Sequence, residues 1–232
     1  MGDMEISYPA GKEAMIMVCD GLLDATICKD FIVGLASLWP GISYPGKTMG
    51  GLNPRTKSSE DAAFSQLGFN EKGVAFNEPF VVIEQAFVEA FFAAIALYKN
   101  EFRALWDWDS VEDTGFQVQK YTRYHGFYRE HVDSFPGTSS GSRVASGIIY
   151  LNTVEYGGET AFPQHNASVK AVQGRIVLFP SLWTHPHEGR TPLSDDKWII
   201  NTFFLNKETV PVDQEQPINN GEHNHGNESH TH

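Results

Sequence analysis

The second half of the chain is a series of short apolar segments divided by turn-forming sequences. The segments span residues 116–121, 128–133, 143–151, 168–172, 175–180 and 197–205. Between them stand PGTSSG, EYGGE, QG and RTPLSDD, which are rich in the residues that favour turns. Short strands with such punctuation are typical of an all-β sandwich or barrel. We therefore predict a mainly β fold.

Helices are predicted ahead of these strands. Asp24 is suited to cap a first helix. A longer helix is predicted over 80–106, because apolar residues recur there at helical spacing: Ile83, Phe87, Phe91, Ala94 and Tyr98. Glu84, Gln85 and Glu89 interrupt its apolar character, which argues against a membrane span. We expect a supporting helix packed on the outside of the sheet.

Length and composition predict one domain. The chain has 232 residues, of which 41% are hydrophobic and 20% charged, as in ordinary globular proteins. We place the domain at 14–205, with a helical part at 14–106 and a β core at 114–205. Hydrophobicity falls after residue 205, so the His-containing tail 206–232 is predicted to be disordered.

Charge and cysteine content narrow the partners and the compartment. The formal charge of −12 disfavours nucleic acid, since binding to phosphates depends on Lys and Arg. The N-terminal sequence lacks a cationic segment followed by an apolar run, so no signal peptide is predicted. Cys19 and Cys28 do not make a disulfide framework. A cytoplasmic protein without a membrane partner is expected.

A His-x-Asp pair, His131 and Asp133, carries the chemistry. Residues i and i+2 of a strand project to the same face, so the pair offers one nitrogen and one oxygen ligand. A second imidazole can return from THPHEGRTP, where His185 and His187 are alternatives that strand alternation does not separate. Two histidines and one carboxylate form the facial ligand set of non-haem Fe(II) oxygenases. Lys197 opens the next apolar strand and can supply a buried cation for a dicarboxylate.

The motifs around these residues resemble a known family. In order they are YREHVD, SRVASGIIYLN, EYGGETAFP, VQGRIVLFP and HEGRTPLSDDKWIINTFF. They are similar to the catalytic domain of prolyl 4-hydroxylases, in the Fe(II)/2-oxoglutarate dioxygenase superfamily, over roughly residues 15–205. The resemblance implies a double-stranded β-helix (jelly roll) core with N-terminal α-helices on its outer face. It also implies Fe(II) as cofactor, 2-oxoglutarate and O2 as co-substrates, ascorbate as an accessory reductant, and succinate and CO2 as products.

The resemblance also implies residue roles. It favours His187 over His185 as the third metal ligand, because in the family a residue and then Gly follow that histidine, with Lys ten positions on. Lys197 would bind the C5 carboxylate of 2-oxoglutarate, with Arg190 as the substitute if Lys197 points outward. Tyr121 would hydrogen-bond the same carboxylate; one residue of slippage before the His-x-Asp pair leaves Tyr124 as an alternative.

Two further positions bear on the substrate. Arg143 occupies the family's position for an arginine near the peptide substrate, and Phe203 stands where the family usually carries Trp. The loop 39–77 and the segment 134–142 are expected to form a lid. Aromatic walls for an extended peptide are available from Trp106, Trp108, Tyr128 and Trp183.

The expected function is hydroxylation of a prolyl residue in a peptide or protein. One alternative keeps the chemistry but changes the substrate to another protein side chain, a free amino acid or a small metabolite. Another is a non-catalytic jelly-roll binding module, which is disfavoured because the metal and co-substrate residues all occur.

Overall fold

The fold is mainly β, as the alternation of apolar segments and turns predicts. The structure is a computed structural model that describes residues 3–48, 50–64, 78–102, 111–134 and 142–206. Helices α1, α2 and α3 span Ala25–Ala36, Trp39–Ile42 and Glu78–Glu101. Strands β1 to β7 span Glu5–Ser7, Met17–Asp20, Tyr44–Pro45, Lys57–Ser58, Glu60–Ala63, Val111–Asp113 and Gln117–Tyr121. Strands β8 to β14 span Phe127–His131, Ser142–Tyr150, Thr160–Phe162, Ala167–Val169, Ile176–Pro180, His187–Gly189 and Lys197–Asn206.

The strands form two antiparallel sheets. The nine-stranded sheet has the order β1-β2-β12-β9-β14-β7-β5-β3, with β6 also paired to β14. The five-stranded sheet has the order β11-β10-β13-β8-β4. The chain crosses between the sheets where β4 passes into β5, at Ser59. Few sequence neighbours pair, so long-range contacts set the arrangement.

Two clusters of buried side chains lie on the two faces of the nine-stranded sheet. Alternation along β14 separates them, because successive side chains of a strand project to opposite faces. Ile200 and Phe204 belong to the cluster that includes Phe91 of α3. Ile199, directly before Ile200 in sequence, belongs to the cluster that includes Phe162 of the five-stranded sheet. The second face is therefore the one that encloses space between the sheets.

Helix α3 approaches the sheet closely at one glycine. The Phe91 ring lies 5.4 Å from that of Phe116 and 6.4 Å from that of Phe204, centroid to centroid. A Cβ at Gly147 would come within 2.9 Å of the Phe91 ring, closer than real contacts allow. A larger residue at this position of β9 would force the Phe91 ring or its neighbours to shift.

The apolar length of α3 differs from expectation in one respect. By length and composition alone, Phe80–Glu101 is sufficient to cross a membrane. From the sequence alone, Glu84, Gln85 and Glu89 argue against a membrane span. By length and composition these three residues do not exclude one. In this fold the Phe87 and Phe91 side chains are buried in the cluster that also contains Ile200 and Phe204 of β14.

Some expected elements have different bounds. The loop expected over 39–77 contains α2, β3, β4 and β5, and Pro40 occupies the first turn of α2, where proline is tolerated. Strand β8 ends at His131, so Asp133 follows the strand and does not belong to it. The first helix begins where expected, since the Asp24 side chain accepts a hydrogen bond from the Thr26 backbone. Most of the predicted lid segment 134–142 and the tail 207–232 lie outside the described residues.

Candidate metal centre

Sheet register brings His131 and His187 together. His131 ends β8, His187 begins β13, and the two are direct partners in the antiparallel pairing of these strands. Their ring centroids are 4.3 Å apart. Asp133, just past the end of β8, completes a group whose ligand atoms all lie within 4.8 Å of one another. These three side chains can hold a metal ion.

Hydrogen bonds orient both imidazoles toward the carboxylate. The Nδ1 atom of His131 lies 2.8 Å from the Arg129 carbonyl oxygen, and that of His187 lies 3.1 Å from the His185 carbonyl oxygen. A carbonyl accepts only, so Nδ1 of each ring carries a proton, and Nε2 is the nitrogen that keeps a lone pair in the neutral ring. Each Nε2 lies 3.4 Å from an oxygen of Asp133. Both rings therefore present the nitrogen that a metal requires.

The protonation states of the carboxylate and of one imidazole suit a metal. Burial acts to raise the pKa of Asp133, but the charges of the neighbouring histidines and the hydrogen bonds it accepts lower its pKa well below the usual range. Burial lowers the pKa of His187, against the opposing pull of the carboxylate. An ionised carboxylate beside a neutral imidazole is the form in which both act as ligands.

Two buried serines stand behind the carboxylate. The Ser146 hydroxyl donates to Oδ2 of Asp133 at 2.6 Å, and the Ser146 and Ser181 oxygens are 2.7 Å apart. Ser146 lies on β9, and Ser181 directly follows β12, the neighbour of β9. Both residues are buried. Neither was identified from the sequence.

His185 is excluded from this group by its own contacts. Its Nε2 atom lies 2.7 Å from the Ala14 carbonyl oxygen and its Nδ1 atom 2.9 Å from the Thr184 hydroxyl oxygen. Its ring stacks on His165 at 4.5 Å. Both ring nitrogens are occupied away from the site. The geometry thus separates two histidines that strand alternation left equivalent, because β13 begins only at His187.

A cavity of about 240 Å³ opens beside the three residues, between the sheets. It is lined by residues of β4, β7, β8, β9, β10, β13 and β14, by Val132 and Asp133, and by Lys47 and Thr48. The Lys197 side chain is buried in its wall. The cavity therefore joins the candidate metal site to a buried cation.

Lys197 has no acidic ion-pair partner among the described residues. Its Nζ atom donates to the Gly158 carbonyl oxygen at 3.0 Å and lies 4.7 Å from the centroid of the Tyr121 ring. Burial lowers the pKa of Lys197 to about 8, although Glu159 opposes the shift. A buried ammonium is costly unless it is paired. A carboxylate entering the cavity would supply that pair, which fits the distal carboxylate of 2-oxoglutarate.

The alternatives for the co-substrate residues differ in position. Tyr121 is the strand partner of Lys197, is buried and lines the cavity. Tyr124 is 57% exposed and is not among the lining residues. Arg190 pairs with Glu188 at 3.1 Å on the surface. The cavity geometry favours Lys197 and Tyr121.

The Tyr121 hydroxyl belongs to a polar ladder along β7. It donates to the side-chain oxygen of Gln119 at 2.7 Å, and the Gln119 amide donates to Gln117 at 2.8 Å. Burial raises the pKa of Tyr121 well above its ordinary value. The hydroxyl therefore remains protonated and able to donate.

Arg143 and Phe203 meet at the cavity wall. The Arg143 guanidinium lies 3.7 Å from the centroid of the Phe203 ring and donates a long hydrogen bond of 3.4 Å to the Asp133 carbonyl oxygen. An arginine stacked on an aromatic face is held by a cation–π contact. The pair presents a partly apolar, partly cationic surface next to the metal site.

The predicted aromatic walls are realised in part. Tyr128 lines the cavity and its ring stacks on that of His131 with 3.5 Å between centroids. Trp183 is 75% exposed and is not among the lining residues. Trp106 and Trp108 lie outside the described residues.

A buried ion pair, between Lys57 of the cavity wall and Asp61, was not expected. The Lys57 Nζ atom lies 2.8 Å from Oδ2 of Asp61, and both side chains are almost completely buried. Ser59 donates to the other oxygen of Asp61 at 2.7 Å. The pair spans the crossover from β4 to β5 and so links the two sheets beside the cavity.

Comparisons of the sequence with known proteins find similarity to 2OG-Fe(II) oxygenases and to prolyl 4-hydroxylases. Residues 116–205 match the profile of the 2OG-Fe(II) oxygenase superfamily. A putative prolyl 4-hydroxylase of Acanthamoeba polyphaga mimivirus is 33% identical over 113 residues, which is 41% of this chain and 46% of that protein. The human prolyl 4-hydroxylase subunit alpha-3 is 36% identical over 93 residues, 34% of this chain and 17% of that one. The chain thus spans less than half the length of these curated relatives.

Solved structures with a similar fold cover more of the chain. A viral collagen prolyl hydroxylase from Paramecium Bursaria Chlorella virus-1 has a TM-score of 0.58 at 20% identity, over 83% of this chain and 97% of that one. A prolyl hydroxylase from Trichoplax adhaerens, in complex with a hypoxia inducible factor peptide fragment, has a TM-score of 0.61 at 18% identity, over 84% and 85%. At this level of identity the likeness concerns the fold.

Proposed function

We propose that this chain, whose residues 116–205 belong to the 2OG-Fe(II) oxygenase superfamily, is an Fe(II)- and 2-oxoglutarate-dependent dioxygenase that hydroxylates a prolyl residue in a peptide or protein. The observation that carries the proposal is that one cavity is shared by three side chains that can hold a metal ion and by a buried cation, Lys197, with no acidic partner among the described residues. We interpret the two sheets that enclose this cavity as a double-stranded β-helix. The limits of the domain, 14–205, remain a prediction.

The donor set fits Fe(II). His131, Asp133 and His187 would supply two neutral nitrogens and one anionic oxygen, leaving positions for other ligands. With 2-oxoglutarate and O2, the iron would supply the oxidising chemistry that converts a C–H bond to C–OH, with succinate and CO2 as co-products. The protein holds the ligands, orients the substrate carbon and keeps the site enclosed.

Lys197 and Tyr121 would bind the far carboxylate of 2-oxoglutarate. The ammonium and the phenol hydroxyl both border the cavity, and the phenol would turn its one proton from Gln119 to the incoming carboxylate. A charged group that donates to a carboxylate makes a stronger hydrogen bond than a neutral pair does. The same contact would compensate the buried charge of Lys197.

A peptide substrate is supported by the cavity wall and by the relatives. Arg143, stacked on Phe203, lies beside Asp133 on the wall of the open cavity. Free amino acids require paired charges for their ammonium and carboxylate groups. Lys57 of the wall is already paired internally with Asp61, so this pair is not available to such a ligand. Relatives named as prolyl hydroxylases, one of them bound to a peptide fragment, make proline the first residue to test.

Mass spectrometry tests the substrate directly. The protein would be incubated with Fe(II), 2-oxoglutarate, ascorbate and proline-containing peptides, with free proline and alanine-substituted peptides as controls. We expect a gain of one oxygen on the proline ring of the peptides and none on free proline. Turnover of free proline, or hydroxylation only at other residues, would contradict the prolyl assignment and leave the oxygenase assignment intact.

A further inference from the structure

The buried hydroxyls of Ser146 and Ser181 stand behind the metal-binding carboxylate. Ser146 is 2% exposed and Ser181 1% exposed. Their oxygens are 2.7 Å apart, and that of Ser146 is 2.6 Å from Oδ2 of Asp133. The three groups form a continuous line from the end of β12, through β9, to the metal site.

The direction of this line follows from the chemistry of its members. The Ser146 hydroxyl donates its hydrogen bond to Oδ2 of Asp133. A hydroxyl has one proton, so Ser146 cannot also donate to Ser181. Ser181 therefore donates to Ser146, although the distance alone leaves either atom as donor. The order of donation is Ser181 to Ser146 to Asp133.

We infer that Ser146, supported by Ser181, is a positioning residue that makes Asp133 a one-oxygen metal ligand through Oδ1. This inference rests on the proposed function, since it assigns a role toward the metal. Oδ2 accepts from Ser146 at 2.6 Å and lies 3.4 Å from Nε2 of His187, whereas Oδ1 lies 3.4 Å from Nε2 of His131 and accepts from no hydroxyl among the described residues. Fixing one oxygen keeps the carboxylate from rotating or chelating.

The backbone explains why these hydroxyls are held in place. Phe179 of β12 is the strand partner of Ser146 on β9, and the Ser181 backbone donates to the Val144 carbonyl oxygen at 3.2 Å. Ser146 therefore lies on a paired strand, and Ser181, one residue past the end of the neighbouring strand, is held to β9 by its own backbone hydrogen bond. A positioning residue on a paired strand is more rigid than one on a loop.

Co(II) binding by the anaerobic full-length protein tests the inference without turnover. The tail carries four histidines that can bind Co(II) on their own: His223, His225, His230 and His232. A His187→Ala variant supplies the blank for that background. Equilibrium dialysis measures the affinity, and the ligand-field absorption spectrum reports the number and geometry of the ligands.

Four variants are compared: Ser146→Ala, Ser181→Ala, the double variant, and Ser146→Thr, which keeps the hydroxyl. Loss of a partner that orients a metal ligand typically weakens metal binding about 10- to 100-fold. We expect this loss, with an altered spectrum, for Ser146→Ala, and a smaller loss for Ser181→Ala. The double variant should bind no more weakly than Ser146→Ala, because Ser181 acts only through Ser146. Ser146→Thr should retain most of the affinity, and Ser168→Ala, on the exposed face of β11, serves as a control.

The outcomes separate the inference from the proposed function. An unchanged affinity and spectrum in Ser146→Ala would overturn the inference, and losses that add in full would overturn the ordered donation. If Ser146→Ala shows no cooperative thermal unfolding and so is not folded, Ser181→Ala and Ser146→Thr decide the same question. If the unmodified protein binds no more Co(II) than His187→Ala, the metal centre itself is contradicted.

Discussion

His187 lies directly opposite His131 across the antiparallel pair of strands β13 and β8, with 4.3 Å between their ring centroids. The pairing of two short strands therefore sets the spacing of two metal ligands that are distant in sequence. A one-residue slip in this register would turn one ring to the other face of the sheet. The candidate metal centre depends on the sheet as much as on the residues themselves.

Removal of the Lys197 charge should weaken 2-oxoglutarate binding. Lys197→Met keeps a long buried side chain and removes one charge-assisted hydrogen bond, worth roughly 1.5–3 kcal/mol. We expect the 2-oxoglutarate affinity to fall by about one to two orders of magnitude. Calorimetry of the Mn(II)-loaded protein would measure it, with Arg190→Met as the control. An unaltered affinity in Lys197→Met combined with a loss in Arg190→Met would move the role to Arg190.

The same interaction should depend on pH. The pKa of Lys197 in the ligand-free protein is about 8, so the ammonium predominates below that pH. The 2-oxoglutarate affinity should therefore be highest below pH 8 and fall by up to about tenfold per pH unit above it. The stability of the ligand-free protein should depend on pH in the opposite direction. Between pH 8 and the ordinary pKa of 10.5, the unfolded chain binds more protons at this lysine than the folded protein does. The ligand-free protein therefore gains stability as the pH rises through this range. Calorimetry across pH 7–9.5 would detect the fall in 2-oxoglutarate affinity, and a flat affinity profile identical to that of Lys197→Met would contradict it.

Tyr121 and Tyr124 can be distinguished by deleting one hydroxyl at a time. Tyr121→Phe leaves the buried Gln119 oxygen without its donor, which costs about 1–3 kcal/mol of folding free energy. It also removes a donor from the co-substrate end of the cavity, so 2-oxoglutarate affinity should fall as well. Tyr124→Phe changes an exposed side chain and should leave both quantities nearly unchanged. If Tyr121→Phe and Tyr124→Phe have equal effects in urea unfolding and in 2-oxoglutarate titration, the assignment of Tyr121 to the co-substrate site is contradicted.

The buried pair of Lys57 and Asp61 should contribute to stability mainly through its completeness. Asp61→Ala leaves a buried ammonium without its carboxylate, a change that typically costs about 3–5 kcal/mol. Glu188→Ala, which breaks the exposed pair with Arg190, should cost no more than about 1 kcal/mol. Urea unfolding of both variants measures the difference. If Asp61→Ala costs no more than Glu188→Ala, the pair does not stabilise the crossover between the sheets.

Much of the β core could be predicted because its strands carry a local signal. The predicted segment 197–205 corresponds to Lys197–Asn206, and 143–151 to Ser142–Tyr150. Turn sequences also carry a local signal, since Gly157 and Gly158 in EYGGE adopt φ angles of 71° and 75°, where glycine is favoured. A short apolar segment bounded by such turns is recognisable without knowledge of its partners.

The parts that could not be predicted depend on distant partners. Strands β4 and β5 are two and four residues long and lie in a segment that the sequence favours as a lid. They are ordered by pairing with β8 and β7, which no local pattern reveals. For the same reason the buried charges of Lys57 and Asp61, four residues apart, were not recognised as a pair. Sequence alternation also treated His185 as equivalent to His187, because it does not show that β13 begins at His187.

Succinate release from 2-oxoglutarate tests the central claim, that His131, Asp133 and His187 form the catalytic metal centre. It would be measured with Fe(II), ascorbate and substrate peptide for the unmodified protein, Asp133→Ala, His187→Ala and His185→Ala. The geometry predicts that Asp133→Ala and His187→Ala abolish succinate formation. His185→Ala should retain most of it, since both ring nitrogens of His185 bind away from the site. Activity that survives in His187→Ala and disappears in His185→Ala would contradict the assignment.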